Sequence, residues 1–339
     1  MRTIRPYDFV FIIDPLETLV PAHDTSVALM EAAQSAGHRV LVTTIADLAL
    51  TAGQATARCR EIRLRLAVVF EDAQVTDTDW YIASPPRRIP LNTAAAVFMR
   101  TDPPVEARYL RATFILDFVD PATTLLINSP AGLRAANEKI FALRLPEFVP
   151  ETVVSADREE IVQLVRRWGN AVLKPTDGMA GRGVLLLRSD DPNLRSLLDT
   201  ATVRGRDHVI VQKYLPAAAE SGDRRVIVLD GAPIGALRRL AGAEDFRCNM
   251  AAGARVRADT VRDRDRAICR RLGPELVSRG LYFAGIDIIG DMLIEVNVTS
   301  PTGIREIDAL SGTRLAAEVI DWVGRQCAAR ERARSTPST

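Results

Sequence analysis

Three side chains near the C-terminus, Asp287, Glu295 and Asn297, have the types and the spacing to hold a metal ion. They lie in the run LYFAGIDIIGDMLIEVNVTSPTGIRE, residues 281–306. The run is apolar and rich in Ile, breaks at Gly290-Asp291 and resumes at Met292, the marks of a buried β-hairpin. Glu295 and Asn297 are two apart and so share one face of a strand, a carboxylate beside an amide oxygen. Such an all-oxygen set suits Mg²⁺, which keeps several waters and binds through one or two side chains plus substrate phosphates. A turn role for Asp287 and a solvated edge charge at Glu295 would explain the same residues. A shared site also constrains the hairpin. A two-residue turn at Gly290-Asp291 pairs Asp287 with Ile294, so a three-residue connection through Met292, or an equivalent bulge, is expected instead to set Asp287 against Glu295.

The basic residues point to a second kind of chemistry. Among 44 of them only three are lysine: Lys139, Lys174 and Lys213. A chain that uses arginine wherever a surface charge suffices retains lysine where a compact, flexible ammonium is needed, and a phosphate chain is such a target. Lys174 stands just before Pro175-Thr-Asp-Gly-Met-Ala-Gly-Arg-Gly183, which leads into a strand at 184–188. Gly178, Gly181 and Gly183 permit close approach and positive φ, so this loop can lay backbone N–H groups over phosphates, although a plain hairpin turn would also account for the glycines. It is neither a P-loop nor a dinucleotide-binding fingerprint.

The elements that position these residues begin as alternating strands and helices. Strands at 8–13 and 39–45 flank a helix capped by Asp24 or Thr25, and a third strand at 94–99 runs into Arg100-Thr-Asp-Pro-Pro104. A helix at 106–118 and a strand at 124–128 complete an α/β unit over residues 1–129, whose mostly parallel sheet offers strand ends for a ligand. Residues 50–92 receive no assignment. Residues 131–145 read as one helix carrying Asn137-Glu138-Lys139. Strands at 152–155, 171–174, 208–215, 224–229 and 234–240 follow, with helices at 157–168, 260–279 and 313–330, and a polar tail expected to fray.

Composition bounds the reading. At 339 residues, 47% hydrophobic and 26% charged, the chain fits a globular enzyme of two or three domains. A net charge of +1 supplies no electrostatic footprint for nucleic acid or an anionic membrane. No run approaches a membrane span and the N-terminus has no signal-peptide pattern, so a cytoplasmic protein is expected. Cys59, Cys248, Cys269 and Cys327 are scattered without a C-x-x-C pair, against structural zinc or a disulfide framework.

Assembled, Ile13-Asp-Pro15, Met99-Arg-Thr-Asp-Pro-Pro104, Asn137-Glu-Lys139, Leu173-Lys-Pro-Thr-Asp-Gly178, Gln212-Lys-Tyr-Leu215 and Glu295-Val-Asn-Val-Thr-Ser-Pro-Thr302 resemble the ATP-grasp superfamily and, closely, its prokaryotic glutathione synthetase family. The resemblance covers nearly the whole chain. It implies that the N-terminal α/β substrate domain (1–129) precedes an ATP-grasp fold with a lid subdomain at 130–205, a C-terminal α+β catalytic subdomain at 206–328 and a frayed tail at 329–339. The implied activity is ATP-dependent ligation: a carboxylate becomes an acyl phosphate, which an amine attacks to leave an amide. In this family the partners are γ-glutamylcysteine and glycine. Lys139 and Lys174 match the family's phosphate-binding lysines, while Gln212, Lys213, Tyr214 and Leu215 match the segment that receives adenine, with the glycine loop and Asp223 beside the nucleotide. Asp287, Glu295 and Asn297 match its Mg²⁺ ligands, where Mn²⁺ can substitute. Arg225 matches the arginine that steadies the acyl phosphate, and Arg239, Arg247, Asn249, Ser300 and Thr302 fall on the substrate side. The resemblance further implies small-molecule partners and a homo-oligomer, dimer or tetramer. Ala180 departs from the usual G-M-G-G, and Arg247-Cys-Asn-Met-Ala-Ala-Gly-Ala254 departs from R-G-N-L-A-A-G-G. The second departure motivates one alternative, a related ligase making another γ-glutamyl or dipeptide amide. A non-catalytic nucleotide-binding scaffold, the other, should have lost ligands that are all present here.

Overall fold

The computed structural model describes residues 6–65, 80–178, 181–242 and 254–335. The N-terminal part contains β1 (Asp8–Ile12), α1 (Thr25–Ser35), β2 (Arg39–Thr43), β3 (Leu48–Thr51), β4 (Gln54–Leu64), β5 (Tyr81–Ala83), β6 (Arg87–Pro90), β7 (Ala96–Met99), α2 (Ala107–Leu116) and β8 (Leu125–Ile127). β2, β1, β7 and β8 run parallel in that order. All but the first residue of β1 is buried, as a central strand covered on both faces requires. Asp24 caps α1 by accepting from the Val27 N–H. The chain passes from β1 to β2 and then crosses to β7, so the strand order reverses between β1 and β7, where the exits of both strands leave a crevice.

Residues 50–92, unassigned from sequence, extend the sheet antiparallel. β4 is their organiser, paired with β2, β3, β5 and β6. Its arginines alternate unevenly with apolar residues, and only these four neighbours fix which residues face inward.

After α3 (Pro130–Ala135) come β9 (Thr152–Ser155), α4 (Arg158–Trp168), β10 (Asn170–Pro175), β11 (Leu185–Arg188), α5 (Leu194–Ala201) and β12 (Val209–Lys213). They build an antiparallel sheet in the order β11-β10-β12-β9. Because β12 is bonded to both β10 and β9, this unit runs to Lys213, beyond the boundary expected at 205. The expected single helix over 131–145 is broken. α3 ends at Ala135 and a 3-10 turn resumes at Phe141–Arg144. Between them Asn137 and Glu138 are drawn into side-chain bonding that a continuous helix could not supply.

The remainder contains α6 (Ala217–Ser221), β13 (Asp223–Leu229), β14 (Ala232–Leu240), β15 (Arg255–Asp259), α7 (Asp263–Ser278), β16 (Phe283–Ile289), β17 (Met292–Asn297), α8 (Ile304–Ser311) and α9 (Leu315–Ser335). Its sheet is antiparallel in the order β15-β14-β13-β16-β17. The tail expected to fray from 329 is helical to Ser335. Ala, Glu and Arg are good helix formers, and Arg332 and Arg334 sit at the carbonyl end of the helix dipole. Among the described residues no helix is long and apolar enough to cross a membrane. Cys59, Cys269 and Cys327 are buried thiols, and Cys248 lies outside the described residues.

Two apolar cores join the first sheet to the third. One packs Val10, Leu41 and Val97 with Val226, Ile286 and Leu293. The other packs Phe9, Phe11 and Phe98 with Ile227, Leu237 and Phe283. The middle sheet has its own core, including Ile161, Val165, Leu173, Leu187 and Val211.

Candidate active site

A cavity of about 400 Å³ lies where the three parts meet. Every expected site residue among the described ones lines it except Gly183. Gly183 instead shapes the loop: at φ 70° it is left-handed, and a Cβ there would come within 2.7 Å of Pro175. Arg247 and Asn249 lie outside the described residues.

The β16–β17 hairpin forms one wall. Asp287 pairs with Glu295, and Gly285 with Asn297, so all three proposed ligands share a face. The expected register is present, produced by the bulge rather than by a longer turn. Ile289 pairs with Met292 across a two-residue turn, and the register shifts beyond Ile288, where Leu293 is paired and Ile294 is extra.

Charge is concentrated on this face. Arg225 on β13 grips Asp287 through Nε at 2.5 Å and Nη2 at 2.9 Å, while its Nη1 donates to the Thr302 carbonyl at 3.1 Å. Arg239 on β14 pairs with Asp223 at 2.7 and 2.6 Å and reaches Asp287 at 3.0 Å. The Asn297 amide also donates to Asp287, at 3.3 Å. All four charged residues are at most 7% exposed. Burial alone would oppose ionisation of Asp287, but the two guanidiniums outweigh it and hold the carboxyl below its usual range. Gly285 leaves space for this arrangement: a Cβ there would lie 3.2 Å from Arg225 Cδ.

Glu295 is placed differently. Among the described residues it is ion-paired with Lys139, at 3.6 Å, with the Lys174 ammonium acting more weakly. Burial, with repulsion from Asp287 and Glu138, pushes its carboxyl up against the pull of Lys139. An anionic Glu295 is therefore under-compensated, a setting that a divalent cation would relieve. Among the described residues no three His, Cys, Asp or Glu side chains form a closed metal centre, so an ion here needs Asn297 and phosphate oxygens to complete its shell.

Opposite the hairpin, Lys174 donates to Gln212 Oε1 at 2.9 Å, and the Gln212 amide donates to Thr152 at 2.9 Å. Burial pushes the Lys174 ammonium down to about 8, with Glu295 opposing and Lys139 adding to the shift. Lys139 donates to the Gly178 carbonyl, linking the broken helix to the glycine loop. Lys213 lines the cavity, but its ammonium is turned to Glu151 at 3.0 Å on the surface.

Sequence reasoning missed several participants. Glu138 Oε1 accepts from the Val298 and Thr299 N–H groups and the Thr299 hydroxyl at 2.8–2.9 Å, anchoring the chain just after Asn297. Asn137 donates to the Thr176 carbonyl at 2.9 Å. His23 and Asp102 bring the N-terminal domain to the cavity. Glu138 and Asp102 stood in quoted motifs, but nothing in the spacing gave them partners; His23 carried no signal.

The chain matches the family model for the prokaryotic glutathione synthetase N-terminal domain over residues 7–134, and that for the ATP-grasp domain of the same family over 138–312. It is 52% identical to the glutathione synthetase of Thermosynechococcus vestitus, covering 93% of this chain and 99% of that one. Against the glutathione synthetase of Synechocystis sp. identity is 49%, covering 93% and 98%. Among solved structures it is similar to the D-cycloserine synthetase DcsG, with TM-score 0.63, 16% identity and coverage of 94% and 99%. It is also similar to the ATP-grasp ligase PsnB, at TM-score 0.60, 19% identity and 95% and 99% coverage. At those identities the structural likeness bears on the fold, which is ATP-grasp.

Proposed function

This chain belongs to the prokaryotic glutathione synthetase family, and from that membership we infer that it joins γ-glutamylcysteine to glycine through an acyl phosphate. It is an ATP-dependent ligase forming a peptide bond, and the family implies dependence on a divalent metal. The observation that carries the residue assignment is the convergence, in one cavity, of a rigid Arg225–Asp287–Arg239–Asp223 cluster with Lys139, Lys174 and Glu295.

In the proposed reaction the cysteinyl carboxylate takes the terminal phosphoryl group of ATP, releasing ADP. The glycine amine then adds to the acyl carbon, and phosphate leaves as the amide forms. A carboxylate is a poor electrophile, so the task of the protein is chiefly positioning and charge compensation. Lys139 and Lys174 face the nucleotide phosphates, with Gln212 holding Lys174 in place. The segment 212–215 leaves the lid sheet beside the cavity and is suited to receive adenine through its backbone. Arg225 and Arg239, already oriented by their carboxylates, offer donors where the acyl phosphate and tetrahedral intermediate gain charge, and need no rearrangement to do so. Glu295 and Asn297, with Asp287, would hold Mg²⁺, or Mn²⁺ in its place, which supplies neutralisation of the phosphate oxygens.

The three sheets support a division into an N-terminal substrate domain (about 1–129), a lid ending near Lys213, and a C-terminal catalytic subdomain. A homo-oligomer in the cytoplasm, with small molecules as its partners and neither nucleic acid nor membrane among them, completes the reading. The experiment is an ADP-release assay over panels of donor carboxylates and acceptor amines, starting with γ-glutamylcysteine and glycine. That pair should give the highest kcat/KM, and a clear preference for another amine would transfer the assignment to a different γ-glutamyl ligase.

A further inference from the structure

Helix α2 is apolar on two sides. Tyr109, Ala112 and Leu116 are buried in the core that also holds Val10 and Val97 of the first sheet. On the outer side stand Phe114 and Phe118, 54% and 49% exposed, the two aromatic side chains among the large apolar ones that the described residues leave to solvent. Asp117 keeps right-handed helical geometry and the Phe118 N–H donates to the Ile115 carbonyl at 3.2 Å, so helical spacing carries through to Phe118. Leu110, Arg111, Phe114, Asp117 and Phe118 therefore share one face. Arg134 on α3 holds that face in place: its Nη2 donates to Asp117 at 2.7 Å, and its guanidinium lies over the Phe114 ring, 4.7 Å from the centroid. An aromatic pair kept in the open by such a brace is suited to contact with another surface.

The order of charges on this face identifies the partner. Arg111 stands three residues before Phe114 and Asp117 three after it, while Leu110 stands four before and Phe118 four after. Turned end for end about Phe114, the face meets its own complement: each Arg111 faces the opposite Asp117, each Leu110 the opposite Phe118, and the two Phe114 rings face each other. That is the condition for an isologous two-fold contact. We propose that α2 packs antiparallel on α2 of a second copy of this chain, across a two-fold axis at Phe114. Exposed Glu106 and Arg108 add one charge of each sign, so the face has no basic excess to suit nucleic acid or an anionic membrane instead. A contact centred on one helix is small beside the roughly 1,200–2,000 Å² of a standard interface, and the association is accordingly reversible and concentration-dependent. The proposal rests on the homo-oligomer of the reading above, for which it names the surface, and is independent of the substrates joined.

The test is sedimentation velocity on the full chain, from about 1 to 100 μM, where an assembly of at least two 37.1 kDa chains should form. Phe114→Asp sets two carboxylates against each other at the axis and should weaken the association by about tenfold or more, taking a dimer to monomer or a tetramer to dimer. Arg111→Asp should do the same by facing acid with acid. Both side chains are exposed, so neither change removes a buried group, and if Phe114→Asp folds poorly by circular dichroism, Arg111→Asp is read alone. Phe114→Cys supplies a readout that a loosened fold could not mimic. At the axis its thiol faces its own copy, so a short bismaleimide should link two chains of this variant much faster than two of the wild type, whose Cys59, Cys269 and Cys327 are buried. An assembly of unchanged mass in both charge variants, or a Phe114→Cys chain that links no faster than the wild type, overturns this surface and leaves the homo-oligomer reading standing. A wild type that stays monomeric throughout the range overturns both.

Discussion

Lys174 is bonded to the neutral Gln212 amide, where burial lowers its ammonium from 10.5 to about 8. Nucleotide phosphates favour the charged form and would raise that value again. Binding above about pH 8 must then take up a proton, so ATP affinity should fall as pH rises through this range, by up to about tenfold per unit. Calorimetric titrations between about pH 6.5 and 9.5 should show this limb in the wild type and lose it in Lys174→Gln, which should also lose most turnover. A wild-type profile as flat as the variant's would remove Lys174 from the phosphate site. The same shift has a stability sign. The unfolded chain binds more protons between about 8 and 10.5, so the penalty of burying this ammonium is present below about 8 and is relieved as pH climbs toward 10.5. That Lys139 and Lys174 stand together in the cavity was legible because lysine is so scarce here. The turning of Lys213 to Glu151 was not, because a surface ion pair of that kind leaves no trace in spacing.

The β16–β17 hairpin shows how far an element can be read. A shared face for Asp287 and Glu295 was required by their proposed chemistry, and that requirement excludes the unbulged two-residue hairpin. It does not choose between a longer turn and a bulge, since both add one residue and differ only in where local packing admits it; the structure admits it at Ile294. Glu295→Gln should therefore raise the Mg²⁺ concentration giving half-maximal turnover by about tenfold or more, by removing an anionic ligand. Asp291→Asn should leave it unchanged, because Asp291 is exposed in the turn and contributes its backbone carbonyl, to Arg264 at 2.8 Å. Equal impairment of the two variants in a metal titration would move the site off this face. Elsewhere the element reading failed for tertiary reasons. Helical periodicity ran straight through Asn137-Glu138-Lys139, but three donors at 298–299 claim the Glu138 carboxylate and open the helix there. β4 was invisible because its exposed arginines obscure the alternation of Ala57, Cys59, Ile62 and Leu64.

At the scale of the molecule, sequence suggested three successive bodies, and the cores distribute differently. The first and third sheets share both large cores, a long-range fact that no local pattern encodes. Asn128 fastens the same junction. Its amide donates at 2.7 Å to the carbonyls of Phe283 and Val298, and its oxygen accepts from the Phe283 N–H at 2.9 Å. Asn128→Ala would leave these three buried groups unpaired, at about 1–3 kcal/mol each where no water replaces the amide. Urea unfolding should register a loss of at least about 3 kcal/mol in one cooperative transition, and a near-neutral variant would mean the junction is held by apolar packing alone. The lid is the contrasting case. Its core is drawn from α4, α5 and β9–β12 only, so it can loosen without exposing the shared cores. Across the cavity its ties are polar, Lys139 to Gly178 and Asn137 to Thr176, and water can substitute for them. A nucleotide between the lid and the hairpin would add contacts on both sides of that gap and suppress the loosening, as an acyl phosphate that must be kept from water demands. Hydrogen exchange should thus find amides of β9–β12 opening at lower free energy than those of β1 and β16. ATP with Mg²⁺ should raise protection in the lid and leave β1 unchanged, whereas a single opening free energy for lid and body, with and without nucleotide, would mean the molecule opens as one unit.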